Sequence, residues 1–479
     1  MKLKEILEGL PILSVQADLT AEITGVSYDS RGVEPGHVFV AIPGCEEDGV
    51  DYAAQAVSRG AACILCQRPL AGAPHVVVPS ARQALAVVSA NWYGRPARQL
   101  QVIGVTGTNG KTSTAFFLRH ILTECLGTKV GLVGTVENRV GNAVLPARRT
   151  TPESADLQAL LRRMADGGCT HAVMEVSSHA LTLDRVYGIP FAVGIFTNLT
   201  QDHLDFHGTM ENYCDAKARL FRQCETAICN GDDPWCGRLL HGSSCRRICY
   251  GVDSPADLRA EELHLTDEGV SYDAVTEKDR VPIHLPIPGR FTVYNSLAAV
   301  GAAQALGIPP EQSAEALLTV PSVRGRMEPV DTAGRDYRVL IDYAHTPDAM
   351  ENVLTAVRSF ARGRVVAVFG CGGDRDRTKR PLMGAVAARL ADVAVVTSDN
   401  PRTEEPMAII RDILPGMKSG KNTVVIEDRV EAIRYALSHA ACGDVIVLCG
   451  KGHECYQEIG HARRHLDERE IVADFFRNE

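Results

Sequence analysis

Residues 101–114 read Gln101-Val-Ile-Gly-Val-Thr106-Gly107-Thr108-Asn109-Gly110-Lys111-Thr112-Ser-Thr. The apolar run Val102, Ile103 and Val105 reads as a buried strand, and Ala115 to Leu122 carries apolar residues at helical spacing. Strand, glycine-rich turn and helix start together make a phosphate cradle. Backbone N–H groups unhindered by side chains point at the oxygens, and the helix N-terminus adds positive partial charge. In such a loop Lys111 reaches the β/γ-phosphates and the Thr112 hydroxyl ligates Mg²⁺. The spacing departs from G-x-x-x-x-G-K-[ST], because Val105 stands at the first glycine position and Gly107 supplies the turn from nearer by.

At 479 residues the chain is too long for one core, and about three domains are expected at roughly 150 residues each. Hydrophobic residues make up 45% and charged residues 23%, as in ordinary globular proteins. A net charge of −9 argues against nonspecific nucleic-acid binding and against an anionic membrane surface. Fifteen cysteines are present but scattered. Cys63-Ile-Leu-Cys66 lies in an apolar run with no second pair to complete a zinc site, so the cysteines read as small buried hydrophobes in a reducing cytosol. Glu5 and Glu8 interrupt the N-terminus where a signal peptide needs an apolar core, and no apolar run is long enough to span a bilayer. A cytoplasmic, monomeric protein acting on small molecules is expected.

Outward from the loop, residues 1–98 alternate short strands with helical stretches, Tyr52 to Ala61 and Ala81 to Tyr93 being helical. Asp29-Ser30-Arg31 marks a turn there. Trp92-Tyr-Gly-Arg-Pro96 reads as a linker. Downstream, Ala172-Val-Met-Glu175-Val-Ser177-Ser178-His179 is a strand ending in a carboxylate and hydroxyls, and Ala192-Val-Gly-Ile-Phe-Thr-Asn198-Leu199 is another, followed by Thr200-Gln-Asp202-His203-Leu-Asp205-Phe-His207. Ligands bind outside the carboxyl ends of strands in open α/β sheets, so these three strand ends should meet at one site. Glu175 and His203 are then candidate metal partners for Thr112. Tyr213 to Phe221 reads as a helix, on which composition alone makes Lys217 a surface lysine. Residues 224–290 read as a strand-rich insertion, and Asn295 to Ala305 as a helix.

The last third restarts an α/β pattern. Strands lead into Asp342-Tyr-Ala-His345-Thr-Pro347, Gly370-Cys-Gly-Gly-Asp374-Arg375-Asp376, Asp399-Asn400-Pro401-Arg402 and Gly450-Lys-Gly-His453-Glu454. Four such units imply a Rossmann-like parallel sheet. Arg375 stands at the third glycine position of the dinucleotide fingerprint, so a nicotinamide cofactor is not expected. The fold class expected is α/β in three domains: a small N-terminal α/β domain (1–98), a central phosphate-loop ATPase-type sheet domain (99–325) and a C-terminal Rossmann-like domain (326–479).

Taken together, Thr106 to Thr112, Glu175-Val-Ser-Ser-His179, Asn198-Leu-x-x-Asp-His203 and Asp342 to Pro347 closely resemble the signatures of the Mur ligases of peptidoglycan synthesis. The Cys371-Gly-Gly-Asp-Arg-Asp376, Asp399 to Arg402 and Gly450 to Glu454 motifs resemble the branch that adds meso-2,6-diaminopimelate to the D-Glu of a UDP-muramoyl dipeptide. The resemblance implies ATP on Thr106, Gly107, Thr108, Asn109, Gly110, Lys111, Thr112, Asn295, Arg326 and Asp342. It implies two Mg²⁺ ions near Thr112, Glu175, His203 and a Lys217 carbamylated by CO₂, which overturns the surface reading of Lys217. UDP-MurNAc-L-Ala-D-Glu is expected on Ser30, Thr150, Thr151, Ser177 and Arg185. Diaminopimelate is expected on Arg375, Asp399, Asn400, Pro401, Arg402, Gly450 and Glu454. Two positions depart from the family pattern, Leu183 where some members have Gln and Thr292 where many have Asn.

Overall fold

The computed structural model describes residues 1–44, 47–417 and 422–477. Three large sheets and one two-stranded hairpin make up the strands of the described residues. The first has five strands in the order Ser14–Gln16, His75–Val77, Cys63–Cys66, His37–Val40 and Gly25–Ser27, all parallel but the first. Cys63 and Cys66 are fully buried in it, as small hydrophobes. Tyr52–Ala61 is helical only over Ala53–Ser58, preceded by a 3-10 turn that Asp48 caps from its side chain.

The central sheet has eleven strands. Gln101–Thr106 lies between Phe191–Phe196 and Cys169–Glu175, parallel to both, so the three predicted strand ends are neighbours. These strands are almost continuously apolar and buried, as a sheet covered on both faces requires. The helices Lys111–Leu126 and Arg290–Ala305 pack together on one face. Residues 224–290 are no insertion. Cys224–Asn230 pairs in register with Phe191–Phe196, and the later strands extend the same sheet before it turns antiparallel at Val270–Val275. A count of strands cannot distinguish an appended hairpin from a continued sheet. That is decided by which edge is free to pair.

The third sheet runs Glu328–Val330, Arg338–Asp342, Val445–Cys449, Val365–Phe369, Val393–Val396 and Thr423–Val425, parallel except at its first strand. Its polar loops all leave the carboxyl ends. Beneath them, the fully buried Arg429 donates to Glu468 Oε1 at 2.9 Å, to the Cys449 carbonyl at 2.7 Å and to the Ser398 carbonyl at 3.3 Å. One guanidinium thereby ties two strand ends to the last helix. Removing one partner of a buried pair leaves an unpaired charge in a low dielectric, a cost of about 3–5 kcal/mol. Arg429→Met should lower the urea midpoint of the C-terminal unit accordingly, and the double replacement Arg429→Met/Glu468→Met should recover much of the loss.

Candidate active site

The loop after Thr106 bends at Gly107 and Gly110, both at positive φ. A Cβ on Gly107 would collide with Thr197 Oγ1, and one on Gly110 with the Asn295 side chain, so only glycine leaves the cradle open. Its backbone is tied to the neighbouring strand: Thr108 N donates to the Asn198 carbonyl at 2.8 Å and Asn109 N to Asn198 Oδ1 at 2.9 Å. Lys111 folds over the loop, its Nζ donating to the Gly107 and Thr108 carbonyls at 2.9 and 2.8 Å. Burial pulls its pKa down, with Glu175 and Asp202 acting against that.

A cavity of about 590 Å³ opens beside this loop. Thr108 to Thr112, Glu175, His203, Asn295, Arg326 and Asp342 all line it, as does Thr150. Thr112 Oγ1 donates to Glu175 Oε2 at 3.1 Å and accepts from Arg326 Nη2 at 3.0 Å. Thr135 also holds Glu175, from its N–H at 2.8 Å and its hydroxyl at 3.0 Å. Asp342 accepts from the Met327 and Ala344 N–H groups, and burial pushes its carboxyl up despite Arg326. Thr292, the departure near Asn295, is buried and donates to the Pro288 carbonyl.

Lys217 is buried, on the inward face of the helix Met210–Ala218, and not on the surface its composition suggested. Its Nζ donates to the Gly107 carbonyl at 2.8 Å and sits 4.4 Å from the Tyr213 ring centroid. Desolvation, with Lys111 adding to it, drives its pKa well below the ordinary lysine value. Burial likewise pushes His203 down to about 3, so its imidazole is neutral and free to act as a ligand. Among the described residues no group of three or more His, Cys, Asp or Glu is placed to hold an ion by itself. The donor set of hydroxyl, carboxylate and neutral imidazole still fits Mg²⁺, which takes few protein ligands and completes its shell with phosphate and water.

The expected dipeptide contacts form a second group. Thr151 donates to the Glu175 carbonyl at 2.8 Å, the Thr151 and Ser177 hydroxyls lie 3.4 Å apart, and Arg185 Nη1 donates to the Thr151 carbonyl at 3.2 Å. Arg185 is also paired with Glu153 at 2.7 Å. Ser30 stands apart, in a 3-10 turn of the N-terminal unit, donating to Gln55 Oε1 at 2.7 Å. The diaminopimelate set forms a third group at the carboxyl edge of the C-terminal sheet, outside the large cavity. Asn400 Nδ2 donates to Glu454 Oε2 at 2.9 Å, and the buried Lys451 donates to Asn400 Oδ1 at 2.7 Å and Glu454 Oε2 at 2.8 Å. Gly450 leaves room for the Asp399 carboxylate, and Arg402 takes positive φ. Pro401 is buried and Arg375 exposed.

The sequence pattern gives Asp202 no role of its own. It is buried, with His203 Nε2 at 3.4 Å, His345 Nε2 at 3.8 Å and Lys379 Nζ at 3.6 Å. Burial opposes its ionisation, but His345, His203 and Lys379 outweigh that and hold its carboxyl well below the usual range. His345 and Lys379 belong to the C-terminal sheet unit, so this carboxylate joins the two units. Asn109 donating to Asp348 at 2.7 Å and Gln201 to Thr378 at 2.8 Å add to the seam.

Residues 105–303 match the model of the Mur ligase middle domain, 325–452 that of the Mur ligase, glutamate ligase domain, and 22–93 that of the Mur ligase family, catalytic domain. The chain belongs to the Mur ligase family. It is 46% identical over 484 residues to the UDP-N-acetylmuramoyl-L-alanyl-D-glutamate–2,6-diaminopimelate ligase of Clostridium botulinum, covering 100% of both chains. It is 46% identical over 479 residues to the ligase of that name from Caldanaerobacter subterraneus, covering 99% of this chain and 98% of the relative. A solved structure of an enzyme of that name superposes with a TM-score of 0.71 at 31% identity, over 100% of this chain and 99% of the other. The crystal structure of MurF from Acinetobacter baumannii has the same fold, with a TM-score of 0.68 at 19% identity over 99% and 98% of the two chains.

Burial pushes three imidazoles far below 6.5: His203 and His453 to about 3 and His207 to about 4. An unfolded chain binds these protons near 6.5. Between about 4 and 6.5 it therefore binds more protons than the folded one, and stability rises with pH across that window. The thermal midpoint of chelator-treated protein should fall as the pH is lowered from 7 to 5, and His207→Asn should flatten part of that slope. A midpoint independent of pH over that range would contradict the assignment.

Proposed function

We propose that the chain is an ATP-dependent amide ligase that joins meso-2,6-diaminopimelate to the D-Glu of UDP-N-acetylmuramoyl-L-alanyl-D-glutamate in the cytoplasm. The carrying observation is one cavity lined by Lys111, Thr112, Glu175, His203, Arg326 and Asp342, with the loop cluster at Asp399–Arg402 forming a separate group outside it. The proposed units are 1–98 for the uridine nucleotide, 99–325 for ATP and catalysis, and 326–479 for the amino acid.

A carboxylate does not condense with an amine until its leaving group is improved. The D-Glu γ-carboxylate therefore attacks the γ-phosphate of ATP, giving an acyl phosphate and ADP. The amine of diaminopimelate then displaces phosphate to form the amide. Lys111 and Arg326 place positive charge beside the triphosphate, where the attacking anion would otherwise be repelled. Thr112, Glu175, His203 and a carbamylated Lys217 would hold two Mg²⁺ ions, which lower that repulsion further. A buried, neutral Lys217 amine is the form that adds CO₂ to give the carbamate, with release of a proton. Thr150, Thr151, Ser177 and Arg185 hold the muramoyl dipeptide, and Ser30 the uridine end.

Diaminopimelate and lysine differ by one distal carboxylate. A planar guanidinium grips a carboxylate with parallel hydrogen bonds, and Arg402 offers one at a strand-end loop. Lysine offers no carboxylate to the part of that guanidinium that would take the substrate. Asp399, Asn400 and Glu454 take the distal ammonium. In that trio Glu454 is already paired with Lys451, and the Asp399 carboxylate interacts with the buried Arg429.

The deciding measurement is mass spectrometry of the product from UDP-muramoyl dipeptide, ATP and meso-diaminopimelate. A tripeptide product is expected, and equal yields with lysine would refute the amino-acid assignment. Arg402→Ala should lower kcat/KM for diaminopimelate by about thirtyfold or more while leaving ATP affinity unchanged.

A further inference from the structure

The Asp399–Arg402 loop does not hold its shape alone. A two-stranded hairpin, Tyr456–Ile459 with Ala462–His465, lies against it. Glu458 N donates to Asn400 Oδ1 at 2.9 Å, Arg402 N to the Glu458 carbonyl at 3.0 Å, and Gly460 N to the Arg402 carbonyl at 2.7 Å. Gln457 Nε2 donates to the Asp399 carbonyl at 2.7 Å. Every residue of the loop but Pro401 is thus bonded to the hairpin. Arg402 is held at φ 52°, a left-handed conformation that a non-glycine residue keeps only when its surroundings impose it.

The same hairpin reaches the Arg402 side chain. Glu458 Oε2 lies 3.2 Å from Arg402 Nε, while Nη1 donates to the Gly373 carbonyl at 2.7 Å. Among the described residues no oxygen accepts from Nη2, which is left for a substrate oxygen. The guanidinium is therefore pinned on one edge and one corner, and its rotation about the long side chain is already used up before substrate arrives. The match to the family model for this part of the chain runs to residue 452, short of the hairpin.

We propose that Glu458 is a positioning residue that orients the Arg402 guanidinium toward the distal carboxylate of the incoming diamino diacid. The proposal rests on the reading of Arg402 given above. Without Glu458 the arginine must be ordered at the moment of binding, which weakens affinity for a substrate carrying the distal carboxylate and leaves lysine unaffected. The carboxylate of Glu458 does not touch substrate. It acts through Arg402.

The test is steady-state kinetics on the full-length enzyme with meso-diaminopimelate and with lysine. Glu458→Ala should raise KM for diaminopimelate about three- to tenfold, the cost of ordering one long side chain. kcat, KM for ATP and turnover of lysine should stay put, so the preference for diaminopimelate falls by the same factor. Glu458→Gln keeps an acceptor oxygen and should recover most of the affinity. In an Arg402→Ala background Glu458→Ala should add nothing. An unchanged KM, equal losses for both amino acids, or a full additional loss in that background would each overturn the proposal. If Glu458→Ala does not fold, Glu458→Asp draws the carboxylate back by one methylene and should still raise KM for diaminopimelate alone, an unchanged KM again counting against it. Should Arg402→Ala itself leave the amino-acid KM unaltered, the reading of Arg402 fails, a result distinct from failure of the Glu458 step.

Discussion

The backbone between Gly107 and Lys111 carries carbonyl and N–H groups that no helix or strand can satisfy, and the site depends on where those groups find partners. Asn198 takes two of the N–H groups, and the Thr197 hydroxyl donates to the Asn109 carbonyl at 2.6 Å. The Gly107 carbonyl accepts from two lysines, Lys111 and Lys217, which come from different helices. Two like charges beside one oxygen in a buried place disfavour each other's protonated form. Lys217, the deeper of the two, is the one pushed furthest, and this is the physical link between the loop and the proposed carbamate.

Around the loop the protein arranges acids in graded company. Glu175 is held by three donors, from Thr112 and Thr135, and faces the loop from the next strand. Asp202 is surrounded by the two imidazoles and the ammonium at the seam between units, which keeps it ionised while buried. That carboxylate is bonded across a domain boundary, so the placement of the C-terminal unit is tied to the same strand end that carries His203. The amino-acid loop, in turn, is mounted on Arg429 below and the 456–465 hairpin beside it.

Strain marks the same places. His203 and Arg402 are both non-glycine residues at positive φ, at 54° and 52°. His203 N donates to Oδ1 of its neighbour Asp202, and both Arg402 backbone groups bond to the hairpin. Conformations of this kind cost on the order of 1–3 kcal/mol and are retained where geometry matters to function.

The three-domain α/β architecture, the phosphate loop and the convergence of three strand ends were legible in the residues, because local patterns carry them: apolar runs set strands, glycine and Lys-Thr set the loop, and ligands gather at strand carboxyl ends. The family signatures carried the candidate residues further than periodicity could. Lys217 shows the limit. On a helix of mixed composition nothing local says which face turns inward, and only packing against the loop buried it. The continuation of the central sheet through residues 224–290 depended on which edge was free to pair. Asp202, Arg429 and Glu458 became visible only in three dimensions, because their partners lie on separate elements and hydrogen bonds between distant segments leave no period in the chain.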